Sequence, residues 1–295
     1  MKNTVFTGVA TAIVTPMTEN GVDYKNFEKL IEWQIAEGIN AIVVAGTTGE
    51  GSTLTDAEHR QVLKFAVDKI AGRVPVIAGT GSNDISYAIE LTKYACEIGA
   101  DAMLVVTPYY NKATQGGLIK SFTAIADAST KPIILYSVPS RTGCNITPET
   151  CAVLAKHPNI VAIKEASGNI SQIPKIASLV GDDMDIYSGN DDQIVPILSL
   201  GGKGVISVLS NIMPKETVRM CDSFFEGNIK ESAALQLKYI DLIDALFSEV
   251  NPIPVKAAVS AMGFGENYLR LPLTPMEEAH EKVMLDLMKK NGLIG

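Results

Sequence analysis

The chain has 295 residues, 46% of them hydrophobic and 20% charged, which supplies enough apolar material for a large core and excludes a disordered protein. The formal charge of -8, from 25 Lys+Arg against 33 Asp+Glu, comes without a run of basic residues, and that argues against nucleic acid as a partner. Cys96, Cys144, Cys151 and Cys221 form no closely spaced pair and His59, His157 and His280 form no ligand pattern, so neither a metal site nor a disulfide framework is expected.

The first predicted element is VFTGVATAIV (5-14). Its apolar run could open a secretory signal, but only Lys2 precedes it, threonines interrupt it and Thr15-Pro16 stops it, so it is taken as a buried strand of a cytoplasmic protein. A helix near 23-37 follows, then strand AIVVAG (41-46) and a helix at 55-71 opened by the cap-like Thr55-Asp56-Ala57-Glu58. VPVIAG (74-79) leads to a helix at 84-98, and DAMLVVT (101-107) to one at 116-128. PIILYS (132-137) leads to a helix at 148-156 behind Thr147-Pro148-Glu149, and IVAIKE (160-165) to one at 169-180. DIYSG (185-189) and GVISV (204-208) precede helices at 190-199 and 214-226.

Eight short β-branched runs that alternate with eight helical segments predict an α/β fold, a (β/α)8 TIM barrel over 1-226. Residues 227-295 read as a C-terminal helical extension packed on the barrel, with no linker to separate it. No run approaches the roughly 20 apolar residues of a membrane span. A doubly wound sheet would want a glycine-rich phosphate loop, and Gly79-Thr80-Gly81-Ser82-Asn83-Asp84 lacks the third glycine.

In a barrel of this kind chemistry belongs at the C-terminal ends of the strands. Lys164 follows the apolar run of IVAIKE at the strand's end, where apolar neighbours strip water from an ammonium and favour the nucleophilic free amine that forms Schiff bases. The competing explanation is an ion pair with Glu165 or a snorkelling surface lysine. Lys203, beside glycines before strand eight, and Lys256, on a helix outside the barrel, are the competing lysines, and neither sits at a strand C-terminus. Tyr136 also ends a strand, where a phenol relays protons or simply bonds to backbone. Thr47 and Thr48 lie in a glycine-flanked turn that either nests a carboxylate or is an ordinary βα turn. Arg141, in a loop set by Pro139 and Gly143, offers a fork to a second carboxylate, if solvent does not claim it. Together these residues suggest an imine-forming enzyme for small oxo-acids that uses no metal or organic cofactor. A sugar-phosphate isomerase barrel would want a glycine loop after strands seven and eight, whereas Gly201-Gly202-Lys203-Gly204 precedes strand eight.

The segments GTTGE (46-50), TPYYN (107-111), YSVPSRTG (136-143) and KEASGN (164-169), with FTGVATAIVTP (6-16), NPIPVKAA (251-258) and LRLPLTP (269-275), resemble the dihydrodipicolinate synthase family along essentially the whole chain. The resemblance implies a pyruvate-dependent class I aldolase barrel. Pyruvate would form an imine with Lys164, become an enamine and attack the aldehyde of L-aspartate 4-semialdehyde. Cyclisation and transimination would then release 4-hydroxy-tetrahydrodipicolinate, an intermediate of lysine and diaminopimelate biosynthesis. By the same resemblance Tyr136, Thr47 and Tyr110 form the proton relay, with Tyr110 reaching into a neighbouring subunit across a tight dimer. Dimers would pair into the family's tetramer. Thr48 would hold the pyruvate carboxylate, Gly189 and Ile206 would line the pocket, and Arg141 would bind the semialdehyde's carboxylate.

Two relatives by chemistry stay open, N-acetylneuraminate lyase and the keto-deoxy-sugar aldolases, which look different after the proline where this chain has Ser140-Arg141-Thr142-Gly143. A non-catalytic barrel is the third alternative. Lysine-inhibited family members hold the effector at the dimer interface, and of that candidate site His59, Asn83 and Tyr109 match. Asp56 stands where a histidine is expected and Tyr87 where a glutamate is expected. Loss of the glutamate predicts weak or absent inhibition by lysine.

Overall fold

The computed structural model describes residues 2-295. Eight parallel strands close into a barrel: β1 Gly8–Ala12, β2 Ala41–Val44, β3 Val76–Gly79, β4 Ala102–Val106, β5 Ile133–Ser137, β6 Ile160–Glu165, β7 Asp185–Ser188 and β8 Gly204–Ser207. Each pairs with its sequence neighbour and β1 pairs with both β2 and β8. The helices that follow them are α1 Tyr24–Ala36, α2 Asp56–Ile70, α3 Ile85–Glu97, α4 Gln115–Asp127, α5 Pro148–Leu154, α6 Gln172–Val180, α7 Ile194–Ser199 and α8 Pro214–Phe225. Each lies within the stretch expected for it or overruns it by one residue. The predicted (β/α)8 TIM barrel is therefore the fold.

The strands are buried on both faces, and this is why they read as unbroken apolar runs. Ala10, Ala12, Ala41, Val43, Ala102, Leu104, Ile134, Tyr136, Ala162 and Ile206 fill the inside of the barrel. The residues between them, such as Ile42, Met103, Leu135 and Ile163, pack outward among the helices. With a period of two, β6 must place Lys164 on the inner face with Ala162 and send Glu165 outward. Phe6 closes the far end of the barrel, stacked on Tyr187 at 4.2 Å while the Tyr187 hydroxyl donates to its carbonyl at 2.6 Å.

Two features were not expected: an antiparallel pair of two-residue strands at Met17–Thr18 and Gly21–Val22, and one helical turn at Pro139–Thr142. Proline at the first position of that turn and Gly143 at its end, with φ 65°, explain it locally. Arg141 therefore stands on a helical turn and not in a loop. Beyond the barrel come α9 Ile229–Lys238, α10 Ile240–Leu246, α11 Ile253–Ala261 and α12 Glu278–Lys290. No described helix is long and apolar enough to cross a membrane.

Candidate active site

The parallel register sets Tyr136 of β5 opposite Lys164 of β6 at the end where the strands stop. Lys164 is 5% exposed, and its Nζ lies 4.4 Å from the centre of the Tyr136 ring. Among the described residues it has no carboxylate partner. Glu165 takes the opposite face, where its Oε1 accepts from the Ser167 N–H at 3.2 Å and from Gln172 Nε2 at 3.1 Å. Burial raises the Glu165 pKa, and these hydrogen bonds oppose the rise. The Lys164–Glu165 ion pair, the main structural alternative for this lysine, is thus absent because neighbouring strand residues face apart.

Lys164, Tyr136, Thr48, Arg141 and Gly189 share a cavity of about 690 Å³. Gly189 is required there: a Cβ on it would sit 2.6 Å from Ala166 Cβ and 3.1 Å from Lys164 Cε. Tyr136 and Arg141 also line a second cavity of about 510 Å³ together with Thr47. Ile206 lines neither and lies fully buried in the barrel interior. Tyr110 is not brought to the group either, standing 92% exposed on left-handed backbone with φ 68°.

The GTTG turn is bracketed by Ala45 and Glu50, both at φ 54°, a conformation that side chains with a Cβ adopt at a cost. The carbonyls of Gly46 and Thr47 accept from Gly51 and Glu50, but the N–H groups of Thr47, Thr48 and Gly49 find no acceptor among the described residues. N–H groups without an acceptor beside a hydroxyl suit a carboxylate. Glu50 turns away and forms an ion pair with Lys256 of α11, both being almost fully buried. Burial pulls the Lys256 pKa down while Glu50 opposes the change.

Of the candidate effector residues, Asp56, His59, Tyr87 and Tyr109 line the smaller cavity. His59 is buried and its ring donates from Nε2 to the Gly79 carbonyl at 2.9 Å; burial lowers its pKa, which keeps the ring neutral at pH 7. Asp56 accepts from Arg60 Nε at 2.9 Å. Tyr87 is pushed up to about 12, first by burial and then by its hydrogen bond to Asp56. Asn83 stands aside, its carbonyl accepting from Asn111 at 3.0 Å. Glu249, Glu277 and His280 bring ligand atoms within 4.8 Å of one another, but Glu277 and His280 are exposed and Glu249 already accepts from His280 at 2.8 Å.

Sequence reasoning missed Asn251. Its Nδ2 donates to Thr48 Oγ1 at 3.0 Å, and its carbonyl accepts from Arg141 Nη2 at 2.8 Å. The only trace in the sequence was its place at the head of NPIPVKAA, more than a hundred residues from either partner.

Comparison with known proteins finds relatives along nearly the whole chain. The model of the dihydrodipicolinate synthetase family matches residues 5–291. The 4-hydroxy-tetrahydrodipicolinate synthase of Alkaliphilus oremlandii is 55% identical over 290 residues, covering 98% of this chain and 100% of that protein. One from Clostridium perfringens is 56% identical with the same coverage. The crystal structure of the Thermotoga maritima dihydrodipicolinate synthase superposes with a TM-score of 0.97 at 43% identity, covering 99% of this chain and 100% of that one.

Proposed function

The chain belongs to the dihydrodipicolinate synthetase family, and we propose that its reaction, the condensation of pyruvate with L-aspartate 4-semialdehyde in lysine biosynthesis, runs through a Schiff base on Lys164. The enzyme is a lyase that forms 4-hydroxy-tetrahydrodipicolinate. One observation carries the assignment to Lys164: a lysine at a strand end, inside the barrel and facing a cavity, has an aromatic ring and no carboxylate beside it.

The Lys164 amine adds to the ketone carbon of pyruvate, and the carbinolamine loses water to give a protonated imine. A methyl proton leaves, the electron pair moves toward the imine nitrogen and the resulting enamine attacks the aldehyde carbon. The iminium is the electron sink, so the carbon–carbon bond forms without an organic cofactor. The amino group of the condensed semialdehyde then attacks the imine carbon and expels Lys164 as the ring closes. Tyr136, in register beside Lys164, hands protons to and from these intermediates with Thr47. The free N–H groups at Thr47 and Thr48 and the Thr48 hydroxyl take the pyruvate carboxylate, and Arg141 takes that of the semialdehyde. Gly189 leaves room for the lysine, and Ile206 acts only as part of the buried barrel interior.

Tyr110 completes the relay from a second copy of the chain. Its 92% exposure on strained backbone supports a residue held out for a partner subunit. The active unit is then a tight dimer, with tetramers formed by pairing of dimers, in the cytoplasm. A monomeric variant among similar solved structures, 44% identical with a TM-score of 0.96 over 98% of both chains, marks assembly as a property to be measured on this chain. Residues 227-295 form one structural unit with the barrel, tied in by Glu50–Lys256 and by Arg270 to Glu58.

Feedback by lysine is weak or absent, because Tyr87 leaves the effector's ammonium without a carboxylate at that position and Arg60 already engages Asp56. Half-inhibition below millimolar lysine would contradict this. Steady-state turnover is the test of the substrate assignment: turnover with pyruvate and aspartate semialdehyde is expected, with none on N-acetylneuraminate, and the reverse would transfer the chain to the sialic acid lyases.

A further inference from the structure

Asn251 reaches the substrate cavity from outside the barrel sheet, and the reaction as written gives it nothing to do. It is 6% exposed and lines the same cavity as Lys164, Thr48 and Arg141. It touches both groups assigned to the substrate carboxylates, the Thr48 hydroxyl with its side-chain amide and the Arg141 guanidinium with its backbone carbonyl. Five residues on, Lys256 grips Glu50, so one short segment holds the GTTGE turn at two points.

A threonine hydroxyl has one proton and two lone pairs, and left to rotate it can present either to the cavity. A carboxylate accepts only. An amide N–H that occupies one lone pair of Thr48 Oγ1 leaves the proton no use on that side and turns it toward the remaining acceptor. Donors aimed in advance bind an anion without ordering it at the moment of contact. Thr48 is the one hydrogen-bond partner of the Asn251 side chain among the described residues, and Asn251 Oδ1 is buried without one, so the donor sense of the amide is itself part of what substitution of Asn251 tests. The reverse orientation of Asn251 would make Thr48 donate to Oδ1 and meet the carboxylate with lone pairs.

We propose that Asn251 is a positioning residue: its amide nitrogen fixes the Thr48 hydroxyl as a donor to the pyruvate carboxylate, while its backbone carbonyl steadies Arg141 for the second carboxylate. This rests on the assignment of Thr48 to the pyruvate carboxylate. The side chain and the backbone carbonyl act on different substrates, so replacing the side chain separates the two effects. Aspartate in its place has the same shape but accepts where the amide donates. The Thr48 proton would then turn to the aspartate and away from pyruvate.

The test is a double-mutant cycle with pyruvate varied at saturating semialdehyde, using Asn251→Asp and Asn251→Ala in the native background and in Thr48→Val. Asn251→Asp should raise KM for pyruvate about tenfold and Asn251→Ala about threefold, with kcat and the semialdehyde KM within about twofold. In the Thr48→Val background each change should add less than about twofold, because the hydroxyl through which it acts is gone. Equal effects in both backgrounds would show a merely structural role and overturn the proposal. So would a native pyruvate KM in Asn251→Asp, or a fall confined to kcat. If thermal melting shows that Asn251→Asp does not fold, Asn251→Ala completes the cycle alone. Borohydride reduction of the native enzyme with pyruvate separates the two levels. No adduct on Lys164 removes the underlying mechanism, whereas an adduct with a cycle that fails removes only the role of Asn251.

Discussion

Two buried lysines stand near the C-terminal rim of this barrel, and they differ in what lies next to the ammonium. Lys256 is 2% exposed and locked to Glu50, while Lys164 is 5% exposed, faces a cavity and lies over an aromatic ring with no ion-pair partner among the described residues. Burial is common to both. Pairing makes the first a structural tie between α11 and the GTTGE turn, and its absence leaves the second free to react.

Exchanging the roles breaks the comparison most sharply. Lys164→Ala should lower kcat/KM by at least about a thousandfold with the thermal transition nearly unchanged, since a nucleophile is lost and no partner is stranded. Lys256→Met should do the opposite. It leaves the Glu50 carboxylate buried without its cation, a loss of about 3–5 kcal/mol in denaturant unfolding, while protein that remains folded keeps its reactivity at Lys164. An equal loss of activity in both variants would erase the distinction.

Arg141→Ala sharpens the same contrast within the site. It should raise the semialdehyde KM about tenfold or more and leave adduct formation with pyruvate intact; equal damage to both steps would contradict its assignment. The smallest effect belongs to the outer tie. Arg270 holds the Glu58 carboxyl down to about 2 from its ordinary 4.5. A carboxyl lowered in the folded state contributes stability above its unfolded pKa and loses it as pH falls through the folded one. Melting of Glu58→Gln against the native chain should therefore show a gap at pH 7 that closes between about pH 4.5 and pH 2. A gap that widens in acid would have the sign wrong.

Much of this was legible in the sequence, for identifiable reasons. Strands buried on both faces announce themselves as short apolar runs, and Thr55, Thr147 and Pro148 mark helix starts by local chemistry, so barrel and order could be read. Lys164 stood out because a charged residue at the end of such a run needs an explanation. What could not be read depended on contacts distant in the chain. Lys256 looked like a lysine on an outer helix because its partner is 206 positions away, and Asn251 carried no signal because its contacts lie 203 and 110 positions away. The helical turn under Arg141 was hidden by its length, four residues being too few to show a period.

The central claim is that the unpaired lysine, and not the paired one, carries the substrate. Reduction of the native enzyme with borohydride in the presence of pyruvate, followed by intact mass and peptide mapping, addresses it directly. A single pyruvate-derived adduct per chain on the peptide that contains Lys164 is the predicted result. An adduct on Lys256, or none on Lys164, would contradict the account.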